Sequence, residues 1–148
     1  MEKLRWIILA VTAIVGVGAA VGANDPIAER RALMRDNQKQ ERSANNLILG
    51  KFLPEKATAA MQKLQANMAA FVELFPEGSD SGGETKAAPS IWANLGDFRA
   101  LAARTVEHAK AAEAQIAAGQ DAFTLAWQAV AEDCTACHVK YTQAMMIR

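Results

Sequence analysis

Two cysteines, four prolines and nine glycines are few for 148 residues. Two cysteines cannot build a disulfide framework, and they fall short of a four-cysteine zinc site. Scarce proline and glycine, beside abundant Ala, Leu, Gln, Glu and Lys, disfavour an all-β fold and favour helix. No excess of either charge is present: Lys+Arg 16 balance Asp+Glu 16. A general nucleic-acid binder would carry a basic excess, so no nucleic-acid partner is expected. Also missing are a Ser-His-Asp set, a glycine-rich phosphate loop and paired carboxylates in a plausible cleft. The chain is therefore not read as an enzyme. What it does have is a 51 % hydrophobic content, enough for the core of one domain.

The N-terminus reads as an address. Lys3 and Arg5 precede an uncharged apolar run from Trp6 to Val21, and Val21-Gly22-Ala23 supplies small residues before Asn24-Asp25-Pro26. This is the three-part layout of a secretory signal with cleavage near Ala23. A retained membrane anchor is the rival, but the run is near the lower limit of a spanning helix, its second half is rich in Gly and Ala, and no basic cluster follows. The expected division is a signal peptide over 1–23 and one domain over 24–148. That domain loses Lys3, Arg5 and Glu2, which leaves a net charge of −1. With no membrane contact after cleavage, the expected location is the bacterial periplasm.

The remainder reads as four helices. Asp25 and Pro26 suit an N-cap and first turn, and Gly50 suits the end of that helix after Leu49. Pro54 and Glu55 open a second helix, whose stripe is Met61, Leu64, Met68, Phe71, Val72 and Phe75 and which Phe75-Pro76 ends. Residues 77–89, rich in Gly, Ser, Asp and Pro, form the one long loop. A third helix, capped by Ser90, is expected to run unbroken to Gly119 with a seam at Ile91, Leu95, Phe98, Ala102, Thr105, Ala109, Ala112 and Ile116. Asp121 is the expected cap of the fourth, whose stripe is Phe123, Trp127, Val130, Cys134, Cys137, Tyr141 and Met145. Long amphipathic helices with short connections predict an all-α, antiparallel, up-down-up-down four-helix bundle.

One motif carries chemistry. Cys134-Thr135-Ala136-Cys137-His138 is C-x-x-C-H, the attachment site of a c-type haem. Offsets of three and four share a helical face, so both thiols and the imidazole can address one flat ligand. The thiols would add to the haem vinyl groups as thioethers, and His138 would meet the iron from one side. A thioredoxin-type dithiol would need a βαβ setting, which is absent. A zinc site would have to recruit His108, some thirty residues away.

With this motif near the C-terminus of an exported four-helix chain, the sequence resembles the class II cytochromes c, the cytochrome c′ family. Further marks are Arg30 and Met34 within Glu29-Arg30-Arg31-Ala32-Leu33-Met34-Arg35-Asp36-Asn37, then Phe75-Pro76, Ile91-Trp92 and Tyr141. The resemblance implies one covalent haem c, bound through Cys134 and Cys137 with His138 as axial ligand. It places Met34 on the distal side of the haem. In low-spin members a methionine there binds iron, giving electron transfer; in five-coordinate members the distal residue does not bind, and iron is open to nitric oxide or carbon monoxide. The stretch around Met34 is closer to the low-spin members. The resemblance also suggests a propionate contact for Arg30, against the plainer reading of a solvated charge, and pairing as a homodimer. A redox partner protein is expected, its identity open.

Two departures stand out. Thr142 follows Tyr141 where the family commonly has Arg or Lys. The middle of the first helix is unusually polar, at Asn37, Gln38, Gln40, Glu41, Asn45 and Asn46. Of the other polar residues, His108 is expected to be exposed and Glu132 and Asp133 to be solvated charges. Trp92 and Trp127 are expected in the core or the haem wall.

Overall fold

The structure, a computed structural model, describes residues 25–143. The proposed signal, its cleavage site and Met145 lie outside the described residues. Four long helices, α1 (Pro26–Leu49), α2 (Pro54–Phe71), α4 (Leu95–Gln115) and α5 (Gln120–Tyr141), are joined by a one-turn helix α3 (Ser90–Ala93) and a 3-10 turn over Ile116–Ala118. This is the expected all-α bundle. Consecutive long helices pack closely against one another, whereas α1 and α5 lie only loosely together.

The local causes are legible. Asp25 caps α1, its Oδ1 accepting from the Ile27 and Ala28 amides at 2.9 and 3.2 Å, with Pro26 in the first turn. Gly119 stands between the 3-10 turn and α5 at φ +105°, ψ −179°, a conformation essentially reserved for glycine. It lets α5 reverse direction after a single residue, so Asp121 lies in the first turn of α5 and is not its cap.

Two helix limits differ from the sequence reading. The second helix stops at Phe71, and the chain continues through tighter i→i+3 turns, Glu73 N to Ala70 O at 3.3 Å and Leu74 N to Phe71 O at 3.1 Å. Pro76 explains this, because it has no N–H to give the Val72 carbonyl and its ring would clash with that carbonyl in a continuing helix. Phe75 still reaches the core. The third helix is broken at Asn94 (φ −135°, ψ 43°), whose side-chain amide donates to the Ser90 carbonyl at 3.1 Å. A short polar side chain that bonds its own turn competes with the helix, and Gly96 close by offers little resistance. Ser90 does not cap α3; its hydroxyl donates to the Lys140 carbonyl on α5.

The expected stripes face inward, but they divide into two clusters. One holds Leu47, Met61, Leu64, Phe123, Trp127 and Val130; the other holds Met68, Phe71, Phe75, Ile91, Phe98 and Tyr141. Burial of a side chain such as Phe123 or Leu64 contributes about 1.5–3 kcal/mol.

The polar middle of α1 sorts itself by face. Asn37 is buried and donates to the Met68 sulfur, while Asn67 donates to Asn37 Oδ1 at 2.9 Å and to Asp36 Oδ2 at 2.8 Å. Asn45 accepts from the indole of Trp127 across the bundle at 3.0 Å. Gln38, Glu41 and Asn46 are exposed. α1 therefore docks on α2 partly through satisfied amides in place of apolar contact.

Candidate haem-attachment site

Cys134 and Cys137 lie in the last turns of α5, half-buried and unpaired with each other. Cys134 packs on the first core cluster and Cys137 on the second. The two thiols thus straddle the seam between the halves of the core. On α1, Leu33 and Met34 are half-buried and pack on the same second cluster as Cys137. Leu33 and Met34 of α1 and Cys137 of α5 thus border the same half of the core. His138 is exposed on α5, one turn from Cys134.

The electrostatics separate the readings of the motif. Burial pushes the Cys134 thiol up to about 11, with Glu41, Cys137 and Asp133 adding to it. Burial and Asp133 push Cys137 up to about 11 as well. Both sulfurs are neutral thiols at pH 7. A dithiol redox centre works through a depressed thiol pKa, which is the opposite condition. A zinc site fits no better: among the described residues no three His, Cys, Asp or Glu side chains converge as metal ligands. His108 turns instead to Asp133, with Nδ1 at 2.7 Å from Oδ2. Neutral, half-buried thiols at a seam in the core, with an imidazole beside them, do fit covalent haem.

The last turn of α5 is held firmly. The Ala88 amide donates to Tyr141 O at 2.9 Å and the Gln143 amide to Lys86 O at 2.8 Å, so the long loop covers the carbonyl end of the helix. Asp97 on α4 accepts from the Tyr141 hydroxyl and, at 2.7 Å, from Lys140 Nζ. The ammonium and the phenol hold the Asp97 carboxyl below the usual carboxylate range. Among the described residues the basic side chain bonded at this turn is Lys140, on the other side of Tyr141 from Thr142, and it pairs with Asp97 on α4.

Several placements differ from expectation. Arg30 is no solvated charge: it is 4 % exposed. Its Nη1 donates to Leu74 O at 3.1 Å and Ser79 Oγ at 2.9 Å, and its Nη2 to Ser79 O at 2.8 Å and Thr85 Oγ1 at 3.2 Å. The guanidinium also stacks over Phe75 and Trp92, at 4.6 and 5.7 Å from the ring centroids. Burial lowers its pKa from the ordinary arginine value, offset in part by Asp25. Asp133 is likewise no solvated charge, being 3 % exposed, and its partner His108 is half-buried. Arg104 completes that group, with Nε at 2.8 Å and Nη2 at 2.7 Å from Asp133 Oδ1. Arg104 and His108 are four apart on α4 and share a face, the one signal that sequence reading could have used. Trp127 is buried in the first cluster, and Trp92 is half-buried with its indole donating to Pro76 O at 3.1 Å. Glu132 is exposed as expected.

An antiparallel helical bundle with C-x-x-C-H on its last helix defines a c-type haem protein of the four-helix class. Comparison with known proteins is more specific. The family profile described as Cytochrome C′ matches residues 25–142, and the chain belongs to that family. Its proteins bind one covalent haem c, and this chain has the two cysteines required. Cytochrome c-556 of Agrobacterium tumefaciens (strain II Chrys) is 39 % identical over 87 residues, which cover 59 % of this chain and 70 % of that one. Cytochrome c′ of Rhodopseudomonas palustris (strain CGA009) is 29 % identical over 145 residues, covering 92 % and 94 %. The solved structure of a cytochrome c′ from Rhodopseudomonas palustris shares the fold with a TM-score of 0.79, at 23 % identity, over 83 % of this chain and 99 % of that one.

Proposed function

We propose that this protein is a single-electron carrier of the bacterial periplasm, with haem thioether-linked at Cys134 and Cys137 and iron held between His138 and Met34. The observation that carries this reading is the placement of Met34 on α1 and Cys137 on α5 against the same half of the core, across the loosest contact between neighbouring long helices. Haem c, when bound, supplies one-electron chemistry at its iron. The chain's own residues do the rest. Two covalent links and a rigid bundle restrict rearrangement between oxidation states. Bound to iron, the Met34 thioether would favour the ferrous form and raise the potential, and apolar walls at Leu33 and the core would act in the same sense. Arg30 is assigned to the loop and not to a propionate, because both of its terminal nitrogens already have acceptors there. Export rests on the leader read over 1–23.

The test is an absorption spectrum of the pure protein, oxidised and reduced, with and without carbon monoxide. Low-spin spectra, a weak near-infrared sulfur-to-iron band in the ferric form and slow carbon monoxide uptake are expected. Met34→Ala should become high-spin and bind carbon monoxide readily. A high-spin wild type would refute the carrier reading and favour a five-coordinate protein that binds nitric oxide or carbon monoxide, with Met34 as a wall. Haem that extracts into acid-acetone would refute the thioether links.

A further inference from the structure

Asp133 is the one buried carboxylate at the haem-attachment segment, and nothing in the attachment chemistry uses it. It directly precedes Cys134, and it lies four residues before Cys137, one helical turn away on a shared flank of α5. It is 3 % exposed and fully engaged: Arg104 donates to Oδ1 through Nε at 2.8 Å and pairs with it through Nη2 at 2.7 Å, and His108 Nδ1 lies 2.7 Å from Oδ2. Both come from α4. Arg104 and His108 are themselves partly open to water, with side chains 55 % and 37 % exposed. The negative charge is thus deep, and the positive charge that balances it is shallow. Water screens the shallow charge more strongly than the deep one, so the two do not cancel at the seam.

We propose that Asp133 is a fixed interior charge that lowers the reduction potential of the haem, and that Arg104 on α4 trims this effect. The inference rests on the haem reading above. Reduction adds one electron from a one-electron donor and breaks no bond, so the iron's formal charge falls by one. A nearby negative charge opposes that addition and holds the ferric state; a nearby positive charge assists it. Asp133 is a positioning and tuning residue here, since it touches neither iron nor substrate.

The sign of the effect distinguishes this from a purely structural role. Midpoint potentials are measured on the haem-loaded protein at constant pH and ionic strength. Asp133→Asn keeps the shape and the acceptor oxygen but removes the charge, and its potential should rise. Arg104→Gln removes the trimming charge, and its potential should fall by a smaller amount. The double variant should lie between the two. Lys110→Gln, in an exposed pair with Glu107 on the same helix, should leave the potential closest to wild type. Potentials of Asp133→Asn and Arg104→Gln that are unmoved, or that shift in the same direction, would overturn the inference. If Asp133→Asn does not fold, the direction of the Arg104→Gln shift decides: downward supports it, upward or none overturns it. A wild type without covalent haem, seen by its alkaline pyridine spectrum, would bring down both readings, whereas haem-loaded variants with unmoved potentials bring down only this one.

Discussion

Replacing Arg30 by Gln should unfasten the long loop while leaving the haem site intact. The guanidinium has four acceptors, at 2.8 to 3.2 Å, on Leu74, Ser79 and Thr85. A hydrogen bond to a charged group contributes about 1.5–3 kcal/mol, and the contributions are not additive. The two shortest, both to Ser79, therefore set a lower bound of about 3 kcal/mol. The stacking over Phe75 and Trp92 adds about 1 kcal/mol. Glutamine can recover one bond at most, so a net loss of about 3 kcal/mol is expected. For a domain of this size, at about 4 °C per kcal/mol, the melting temperature should fall by roughly 12 °C. Thermal unfolding followed by circular dichroism measures this, and limited proteolysis should show new cleavage within residues 76–88. Arg30→Lys keeps the charge but not the fork, and should lose more than half as much. The absorption spectrum and midpoint potential should stay at wild-type values. A melting temperature within about 3 °C of wild type would refute the clamp, since less than 1 kcal/mol would then be at stake. A shifted potential would restore the propionate contact instead.

Two glycines should respond in opposite directions. Gly119→Ala forces a side chain into φ +105° with nothing in its way, so strain alone should cost about 1–3 kcal/mol, whereas Gly96→Ala in α4 should gain up to about 1 kcal/mol in helix propensity; denaturant titration reads both. Acid should loosen the bundle through Asp97 and Asp36, whose carboxyls are held low by Lys140 with Tyr141 and by Asn67 respectively. A lowered folded pKa means that the stabilisation is complete above the unfolded value, near 4, and is lost as pH falls through the folded one. The melting temperature should therefore hold steady from neutral to about pH 4 and then drop, and Asp97→Asn should flatten part of that drop.

How much could be read in advance followed the range of each interaction. C-x-x-C-H is complete within five residues, so its chemistry was visible in the string. The helical stripes were visible because a period of three to four residues is itself a statement about faces. The burial of Arg30 was out of reach because its partners lie 44 to 55 residues away and include backbone carbonyls, which leave no mark in a sequence. Asp133 looked like an ordinary helix charge because its burial depends on α4 being its neighbour. The break at Asn94 and the early end of α2 were local in cause, but apolar periodicity ran through both and masked them. Asn37 could not be sorted from Gln38 without knowing which side of α1 meets α2.

The loose fit of α1 against α5 has a consequence for the order of assembly. The close pairs, α1 with α2, α2 with α4 and α4 with α5, each join helices that follow one another along the chain, which favours rapid formation. The α1–α5 side closes over the longest stretches of chain, through contacts such as Trp127 with Asn45 and Gln120 with the Ile48 carbonyl. Loop-closure entropy makes such contacts late to form, and sparse packing makes them early to open. Amide exchange should accordingly be fastest where α1 faces α5 and slowest along α4, which packs closely on both α2 and α5. The face bearing Cys134, Cys137 and Met34 is thus the last door to shut on a folding chain and the first to swing on a folded one.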